Sequence, residues 1–277
     1  MNEQITRSNG RAFDQLRKVK ISFNTYGYAP GSVLIELGNT KVLCAVTIST
    51  GVPPFLKGKR TGWLTAEYAM LPTATHNRSI RDESTGKRNG RAVEISRLIS
   101  RALRAIVDLS LIGERTITVD CDVLQADGGT RTAAITGAYL ALYAAVKKWL
   151  TEGELTQTIL TDEVAAVSVG IINGKAHLDI DYSEDSTACA DYNFVLTKSG
   201  NIIEIQGTSE RAAISWDSFD AIKQLAHKGT RTFFELYKEY KKVVDDDSID
   251  YKPIKEERYS NKSKTAPMFS LKNRLAQ

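Results

Sequence analysis

Hydrophobic and polar positions along the chain predict strands and helices in a mixed order. Runs of β-branched residues bounded by turn residues are typical of strands, and apolar residues three or four apart are typical of helices. Gly38-Asn39, Asn173-Gly174 and Ser199-Gly200 each separate two strand-like runs and predict hairpins. Strands are predicted over residues 32–38, 40–48, 61–70, 116–123, 163–172, 176–180, 193–197 and 202–206, and helices over 91–109, 130–150 and 215–244.

This order of elements predicts the fold class. Strands and helices alternate without a strict βαβ period, which favours an α/β fold of the two-layer α+β type, with a mixed β-sheet packed on helices. A chain of 277 residues with 42% hydrophobic content can bury a full core. We expect one domain over residues 1–250 and a basic extension over 251–277, because the segment beyond the acidic stretch at 245–250 is polar and poor in apolar residues.

Targeting and cysteine patterns narrow the class of protein. The N-terminal residues contain no apolar segment of a secretory signal, and the most apolar run, around residues 133–146, is too short to span a bilayer. Cys44, Cys121 and Cys189 lie far apart without a CxxC pair, which favours reduced thiols over disulfides or a zinc site. We therefore expect a cytoplasmic protein that does not associate with membranes.

The positive charge is concentrated in two segments. Residues 57–104 hold eleven Lys/Arg against four Asp/Glu, and residues 251–277 hold seven against two, whereas the whole chain has a net charge of +4. A basic block in an otherwise near-neutral domain is typical of a protein that binds a polyanion. For Arg97, Arg101 and Arg104, a solvated helix face explains the charge equally well. The basic tail could contact RNA or have no role.

A glycine turn before an apolar helix predicts a phosphate site. Gly128-Gly129 leads directly into the helix predicted to begin at Thr130. Helix N-termini carry unpaired N–H groups and the positive end of the dipole, so a hydroxyl and a guanidinium there complete an anion site. A second helix opens with Gly90-Arg91 and offers another guanidinium. The predicted phosphate ligands are Arg91, Gly129, Thr130 and Arg131.

Four carboxylates between residues 181 and 191 predict a metal site. Mg²⁺ binds one or two carboxylates and keeps waters that phosphate oxygens can replace. Asp185 and Asp191 are the candidate ligands, Asp181 and Glu184 are weaker ones, and an acidic loop stabilised by Asx turns is the alternative. A phosphate site beside a metal site predicts phosphoryl transfer, in which arginines and the metal neutralise developing charge. The GxxxxGK[ST], GxSxG and HExxH motifs are absent.

Three long segments of the chain resemble one family. They are GVPPFLKGKRTGWLTAEYAMLPTATHNRSIRDESTGKRNGRAVEISRLISRALRAIVDL, CDVLQADGGTRTAAITGA and LDIDYSEDSTACADYNFVLTKSGNIIEIQGTSE. Over about residues 11–242 the chain resembles the ribonuclease PH family. The resemblance implies the fold of that family and a phosphorolytic 3′→5′ exoribonuclease. Inorganic phosphate would be the co-substrate, nucleoside 5′-diphosphates the products, and nucleotide addition to RNA 3′ ends the reverse reaction.

The resemblance also implies residue roles and partners. Arg91, Gly129, Thr130 and Arg131 match the family's phosphate-binding residues, and Asp185 and Asp191 match its catalytic aspartates, which would hold Mg²⁺ with Mn²⁺ as the alternative. Arg78 and Arg81 match arginines that contact RNA, and His76 in the same loop is a further candidate for an RNA contact, against a structural role. The implied substrate is the 3′ end of precursor tRNA, and the implied assembly is a homohexamer built as a trimer of dimers.

Four positions depart from the family pattern. Thr73 stands where an arginine is usual, Lys18 where proline is usual, Tyr192 where methionine is usual and Arg211 where glycine is common. None of these positions is a predicted phosphate or metal ligand, so the departures leave the predicted chemistry unchanged. They concern how the protein would bind tRNA. Two alternatives share the fold: a non-catalytic RNA-binding subunit of an exosome-like ring, and a catalytic exosome-type subunit that needs a partner chain.

Overall fold

The computed structural model describes residue 7 and residues 10–24, 27–81, 86 and 89–245. The predicted extension over 251–277 and part of the polar loop 73–89 lie outside the described residues. The strands are β1 (Val19–Phe23), β2 (Gly31–Leu37), β3 (Thr40–Thr50), β4 (Trp63–Met70), β5 (Arg115–Gln125), β6 (Val164–Ile172), β7 (Lys175–Leu178), β8 (Ala190–Thr197) and β9 (Ile202–Ser209). The helices are α1 (Gly90–Arg104), α2 (Thr130–Thr151), α3 (Tyr182–Asp185) and α4 (Trp216–Asp245).

The strands form two sheets. The first has the order β1-β2-β3-β5-β4 and is antiparallel except for the β4–β5 pair, and the second has the order β7-β6-β8-β9 and is antiparallel throughout. The three predicted hairpins are confirmed. Asn173 and Gly174 both adopt positive φ angles, 49° and 75°, which a two-residue turn between twisted strands favours.

The helix α2 lies between the two sheets. It packs on β2 and β3 of the first sheet and on β6 of the second, so nearly every side of this helix is buried. The helix α1 covers β4, and α4 covers the other face of the second sheet at β6 and β7. This arrangement confirms the mixed α/β class. None of the helices in the described part of the chain has the length and apolar content that a membrane span requires.

Some predicted boundaries were wrong. The helix predicted over 91–109 ends at Arg104, because backbone groups beyond it pair with a distant segment. The carbonyl of Ile106 accepts a hydrogen bond from the amide of Thr161 at 2.9 Å, and the amide of Asp108 donates to the carbonyl of Ile159 at 2.8 Å. These two backbone groups therefore do not form helical hydrogen bonds. The strand predicted over 176–180 ends at Leu178. The short elements β1 and α3 were not predicted.

The three cysteines are free thiols in the structure, as predicted. Cys44 and Cys121 are buried cross-strand partners on β3 and β5, and Cys189 is partly buried. The hydrogen bond with the neighbouring Cys44 thiol, together with burial, raises the pKa of Cys121 well above its ordinary value, so this thiol stays protonated and inert at neutral pH.

Candidate active site

A cavity of about 750 Å³ lies at the N-terminal end of α2. Its walls come from the first turns of α1 and α2, the helix α3, strands β6 and β8, and the loop after β4. All six residues that the sequence predicts as phosphate or metal ligands line it: Arg91, Gly129, Thr130, Arg131, Asp185 and Asp191. The two predicted sites are therefore two sides of one cavity.

The Gly128-Gly129 turn has two separate needs for glycine. Both residues adopt left-handed φ angles, 75° and 64°, which side chains disfavour. The turn is also tightly packed: a Cβ on Gly128 would lie 2.7 Å from the carbonyl carbon of Asp181, and one on Gly129 would lie 2.8 Å from Nη2 of Arg17. The turn is thus pressed against the chain segment that leads into α3.

The N-terminus of α2 offers hydrogen-bond donors to an anion. Gly129 is its N-cap residue, and no side chain of the described residues caps the helix. The Tyr68 hydroxyl donates to Oγ1 of Thr130 at 2.8 Å, and burial raises the pKa of Tyr68, so the phenol remains a donor at neutral pH. The proton of Thr130 is then left for another acceptor. The first-turn N–H groups of α2 and this hydroxyl provide donors for a phosphate.

Two arginines flank this helix end. Arg91 lies in the first turn of α1, where the side chain of Asn89 caps the helix by accepting from its backbone N–H at 2.9 Å. Arg131 lies in the first turn of α2 and donates from Nη1 to Oε1 of Gln206 at 2.8 Å. Guanidinium groups bind phosphate oxygens through paired hydrogen bonds. The site therefore combines backbone, hydroxyl and guanidinium donors.

The carboxylates form the opposite wall. Partial burial raises the pKa of Asp185, and the charges of Asp191 and Glu210 raise it further, while Arg91 opposes this effect. Partial burial likewise raises the pKa of Asp191, which Arg131 opposes and Glu210 reinforces. Ionising both carboxyls is therefore costly unless a cation is present.

The donor set fits a hard divalent cation. Within the described residues no group of three His, Cys, Asp or Glu side chains is arranged to hold a metal ion. Two carboxylates beside a phosphate site match the preference of Mg²⁺ for few protein ligands, with water and substrate oxygens completing its shell.

The two weaker ligand candidates lie outside the cavity lining. Asp181 caps α3 by accepting from the amide of Glu184 at 3.0 Å, and the Glu184 carboxylate in turn accepts from the amide of Asp181. Glu184 is buried against the guanidinium groups of Arg7 and Arg11. These contacts fix α3 and so fix the position of Asp185.

Several residues in the lining were not predicted, among them Glu210, Ser168 and Tyr182. Glu210 follows β9, and its negative charge contributes to the raised pKa values of both Asp185 and Asp191. Ser168 is 5% exposed, and its Oγ has no hydrogen-bond partner among the described residues, so a molecule in the cavity would complete its bonding. Tyr182 lies with its ring centroid 5.9 Å from that of His76, and both line the cavity. The sequence placed Ser168 inside a strand and gave no sign that its hydroxyl reaches the site.

The predicted RNA-binding arginines lie beside the cavity. Arg78 and Arg81 are exposed and are not part of its lining, whereas His76 and Asn77 of the same loop are. Of the family departures, Arg211 donates to the carbonyl of Ser186 at 3.1 Å, directly after α3. The roles of Arg78 and Arg81 in RNA binding stay predictions.

A buried ion pair joins the N-terminal segment to the second sheet. Asp179 is 3% exposed and Arg17 is 5% exposed. Oδ2 of Asp179 accepts from the amide and from Nε of Arg17 at 2.7 and 3.0 Å, and Oδ1 accepts from Nη2 at 2.7 Å. Burial by itself raises the pKa of Asp179, but the charge and hydrogen bonds of Arg17 outweigh it and lower the pKa below its ordinary value.

We expect Asp179→Asn to lower the free energy of unfolding by about 3 kcal/mol at neutral pH, because it leaves Arg17 buried without its counter-charge. A carboxyl whose pKa is lowered by folding stabilises the protein fully above its unfolded value of about 3.9, and this stabilisation is lost as the pH falls through the folded value. Urea unfolding at neutral pH and at about pH 3 measures the difference between the two proteins. An equal difference at both pH values would contradict the ionic contribution.

Family models and similar proteins identify the family of this chain. Residues 15–148 match the model for domain 1 of the 3′ exoribonuclease family, and residues 162–229 match domain 2. The chain is 54% identical over 219 residues to ribonuclease PH of Neisseria meningitidis serogroup B, covering 79% of this chain and 90% of that protein. It is 53% identical over 232 residues to ribonuclease PH of Tropheryma whipplei, covering 84% of this chain and 94% of that protein.

Solved structures show the same fold. The structure titled "archaeoglobus fulgidus exosome with RNA bound to the active site" superposes with a TM-score of 0.70 at 23% identity, covering 84% of this chain and 93% of that chain. With two family models over most of its length and relatives more than 50% identical, the chain belongs to the ribonuclease PH family of phosphorolytic 3′→5′ exoribonucleases.

Proposed function

We propose that this enzyme trims the 3′ ends of precursor tRNA with phosphate held at the N-terminus of α2. The phosphate ligands are Arg91, Gly129, Thr130 and Arg131, and Asp185 and Asp191 hold a divalent cation. The observation that carries the proposal is the convergence of all six residues on one cavity, although they come from four separate parts of the chain.

The arrangement suits attack by phosphate on the terminal phosphodiester. An oxygen of hydrogen phosphate forms a bond to the last phosphorus, and the bond from that phosphorus to O3′ of the preceding nucleotide breaks. A nucleoside 5′-diphosphate leaves, and the proton of the hydrogen phosphate passes to O3′. Arg91 and Arg131 neutralise charge on the reacting oxygens, and the amides of α2 hold the nucleophile in line. The barrier falls because these groups are already oriented before the substrate binds.

The proposed cation ligands are Asp185 and Asp191. A Mg²⁺ or Mn²⁺ ion there would neutralise negative charge on phosphate oxygens. The raised pKa values of both carboxyls support this assignment, since a cation would offset the cost of burying two ionised carboxylates and the repulsion that adds to it.

RNA is proposed to approach along the loop after β4. Arg78 and Arg81 lie on this loop and are exposed. Residues 57–104 carry the basic block of the chain, which supplies backbone contacts that tolerate any base sequence and weaken with salt. The related archaeal structure, by its title, has RNA bound to its active site. The non-catalytic alternative is not favoured, because the relatives above 50% identity are named ribonuclease PH.

The proposed assembly is a homohexamer built as a trimer of dimers. Symmetric repetition would turn the basic block of one subunit into a ring of positive charge around a path for single-stranded RNA. The mass of the purified full chain, measured by sedimentation or light scattering, tests this. A mass of six chains supports the hexamer, whereas a monomer that gains activity only with a second protein supports the exosome-type alternative.

The first test of the function compares substrates with and without phosphate. A 3′-extended tRNA transcript is incubated with the enzyme and Mg²⁺, and an unstructured RNA of equal length serves as the matched control. We expect phosphate-dependent shortening of the tRNA transcript with release of nucleoside diphosphates. Shortening without phosphate and with release of monophosphates would contradict the phosphate site, and equal rates on both RNAs would contradict the preference for tRNA.

A further inference from the structure

Arg17 lies between the phosphate-binding turn and the segment that carries the carboxylates. Nη1 donates to the carbonyl of Asp127 at 2.6 Å and to that of Gly128 at 3.3 Å, while Nε and Nη2 hold the Asp179 carboxylate. One guanidinium thus bonds to the turn that precedes α2 and to the residue that follows β7. These two segments follow strands of different sheets, β5 of the first and β7 of the second.

At the phosphate-binding turn, hydrogen bonds with Arg17 and Thr40 fix the orientation of the peptide groups of residues 127 and 128. Oγ1 of Thr40 donates to the carbonyl of Gly128 at 2.7 Å and accepts from the amide of Asp127 at 3.0 Å. Arg17 and Thr40 together therefore bond to both carbonyls of residues 127 and 128. Gly129 follows with its Cα against Arg17, where a Cβ would not fit. The direction of the first N–H groups of α2 depends on this turn.

On the other side, Arg17 holds a strained residue. Asp179 has a φ of 52°, a left-handed conformation that non-glycine residues rarely adopt. Its amide donates to the carbonyl of Ser168 at 2.7 Å, and its carbonyl accepts from Arg11 at 3.0 Å. Asp181 comes two residues later and caps α3, the helix that ends at Asp185. The conformation of Asp179 therefore sets where α3 begins.

We propose that Arg17 is a positioning residue that holds the phosphate-binding turn at a fixed distance from α3. The guanidinium is suited to this because its planar fork bonds to two segments at once, which the single ammonium of lysine does not reproduce. The inference rests on the phosphate site proposed above. It assigns a role in the reaction to a residue that the cavity does not expose and that touches no reacting atom.

The test uses Arg17→Lys in the full-length enzyme. Groups that orient the ligands of a site typically change affinity by tenfold or more, so we expect the KM for inorganic phosphate to rise about tenfold. The KM for RNA should change less than about twofold, because none of the hydrogen bonds of Arg17 goes to the loop after β4. Phosphate should also raise the Tm of the variant less than that of the wild type, which reports binding without turnover.

Arg7→Lys is the matched control. Arg7 is equally buried and also pairs with a carboxylate, that of Glu184, but its hydrogen bonds go to residues 15, 178, 179 and 184 and none goes to the turn. We expect a comparable loss of stability and a lower kcat, because Glu184 lies on α3 with Asp185, but a KM for phosphate within about twofold of wild type. An equal rise in both variants would overturn the proposal, because it would show a general effect of losing a buried arginine.

A second variant keeps the test decisive if Arg17→Lys does not fold. Thr40→Val keeps the shape of the side chain but removes the hydroxyl that holds residues 127 and 128, so it should also raise the KM for phosphate. Unchanged KM values in the variants that fold would overturn the positioning role. Arg131→Ala distinguishes failure of the phosphate site from failure of the positioning role. If Arg131→Ala also leaves the KM for phosphate unchanged, the proposed phosphate site is wrong. If it raises that KM while the other variants do not, only the role of Arg17 is wrong.

Discussion

Asp185→Asn should lower kcat for phosphorolysis about a thousandfold with little change in RNA affinity. The amide keeps the size of the side chain but removes the charge that would hold a cation beside Asp191. Electrostatic stabilisation of charge on phosphate oxygens by a metal is worth several kcal/mol, and about 4 kcal/mol corresponds to a thousandfold in rate. Release of nucleoside diphosphates from end-labelled RNA measures kcat, and filter binding measures RNA affinity.

Asp181→Asn is the control for this prediction. Asp181 lies in the same acidic segment but caps α3, and asparagine serves as an N-cap nearly as well as aspartate. We expect its kcat to stay within about threefold of wild type. If Asp181→Asn and Asp185→Asn lose activity equally, the segment acts through its fold or its total charge, and the assignment of Asp185 as a metal ligand is wrong.

The second large effect is expected for phosphate binding. Arg131→Ala should raise the KM for phosphate about thirtyfold, because a charge-assisted hydrogen bond contributes about 2 kcal/mol. Arg91→Ala should act in the same direction, since Arg91 lines the same cavity from α1. Initial rates at saturating RNA over a series of phosphate concentrations measure the effect. The KM for RNA should change much less in both variants.

Arg97→Ala provides the matched control on α1. Arg97 is exposed and lies outside the cavity lining, so its removal lowers the positive charge of the same helix without removing a phosphate ligand. We expect no change in the KM for phosphate. A rise equal to that of Arg91→Ala would show that the overall field of the helix, rather than a direct contact, sets phosphate affinity.

The predicted strands and helices follow from local patterns, and most of them are confirmed. The glycine turn at 128–129, the apolar helix after it and the hairpin at 173–174 each rest on signals within a few residues. The end of α1 was mispredicted because the chain after Arg104 pairs with residues 159–161. Such pairing leaves no local signal, since the partner lies in a distant part of the sequence.

The sequence by itself determined the family, the fold class, the phosphorolytic activity and the residue types that the chemistry needs. Only the tertiary structure decided that the predicted phosphate and metal residues face one cavity, and that Asp181 and Glu184 serve α3 instead. It also revealed Ser168 and Glu210 in the site, and the buried ion pair between Arg17 and Asp179. The physical reason is that residue type and spacing set local conformation and chemical capacity. The direction and partner of a side chain are set by packing between segments far apart in the chain.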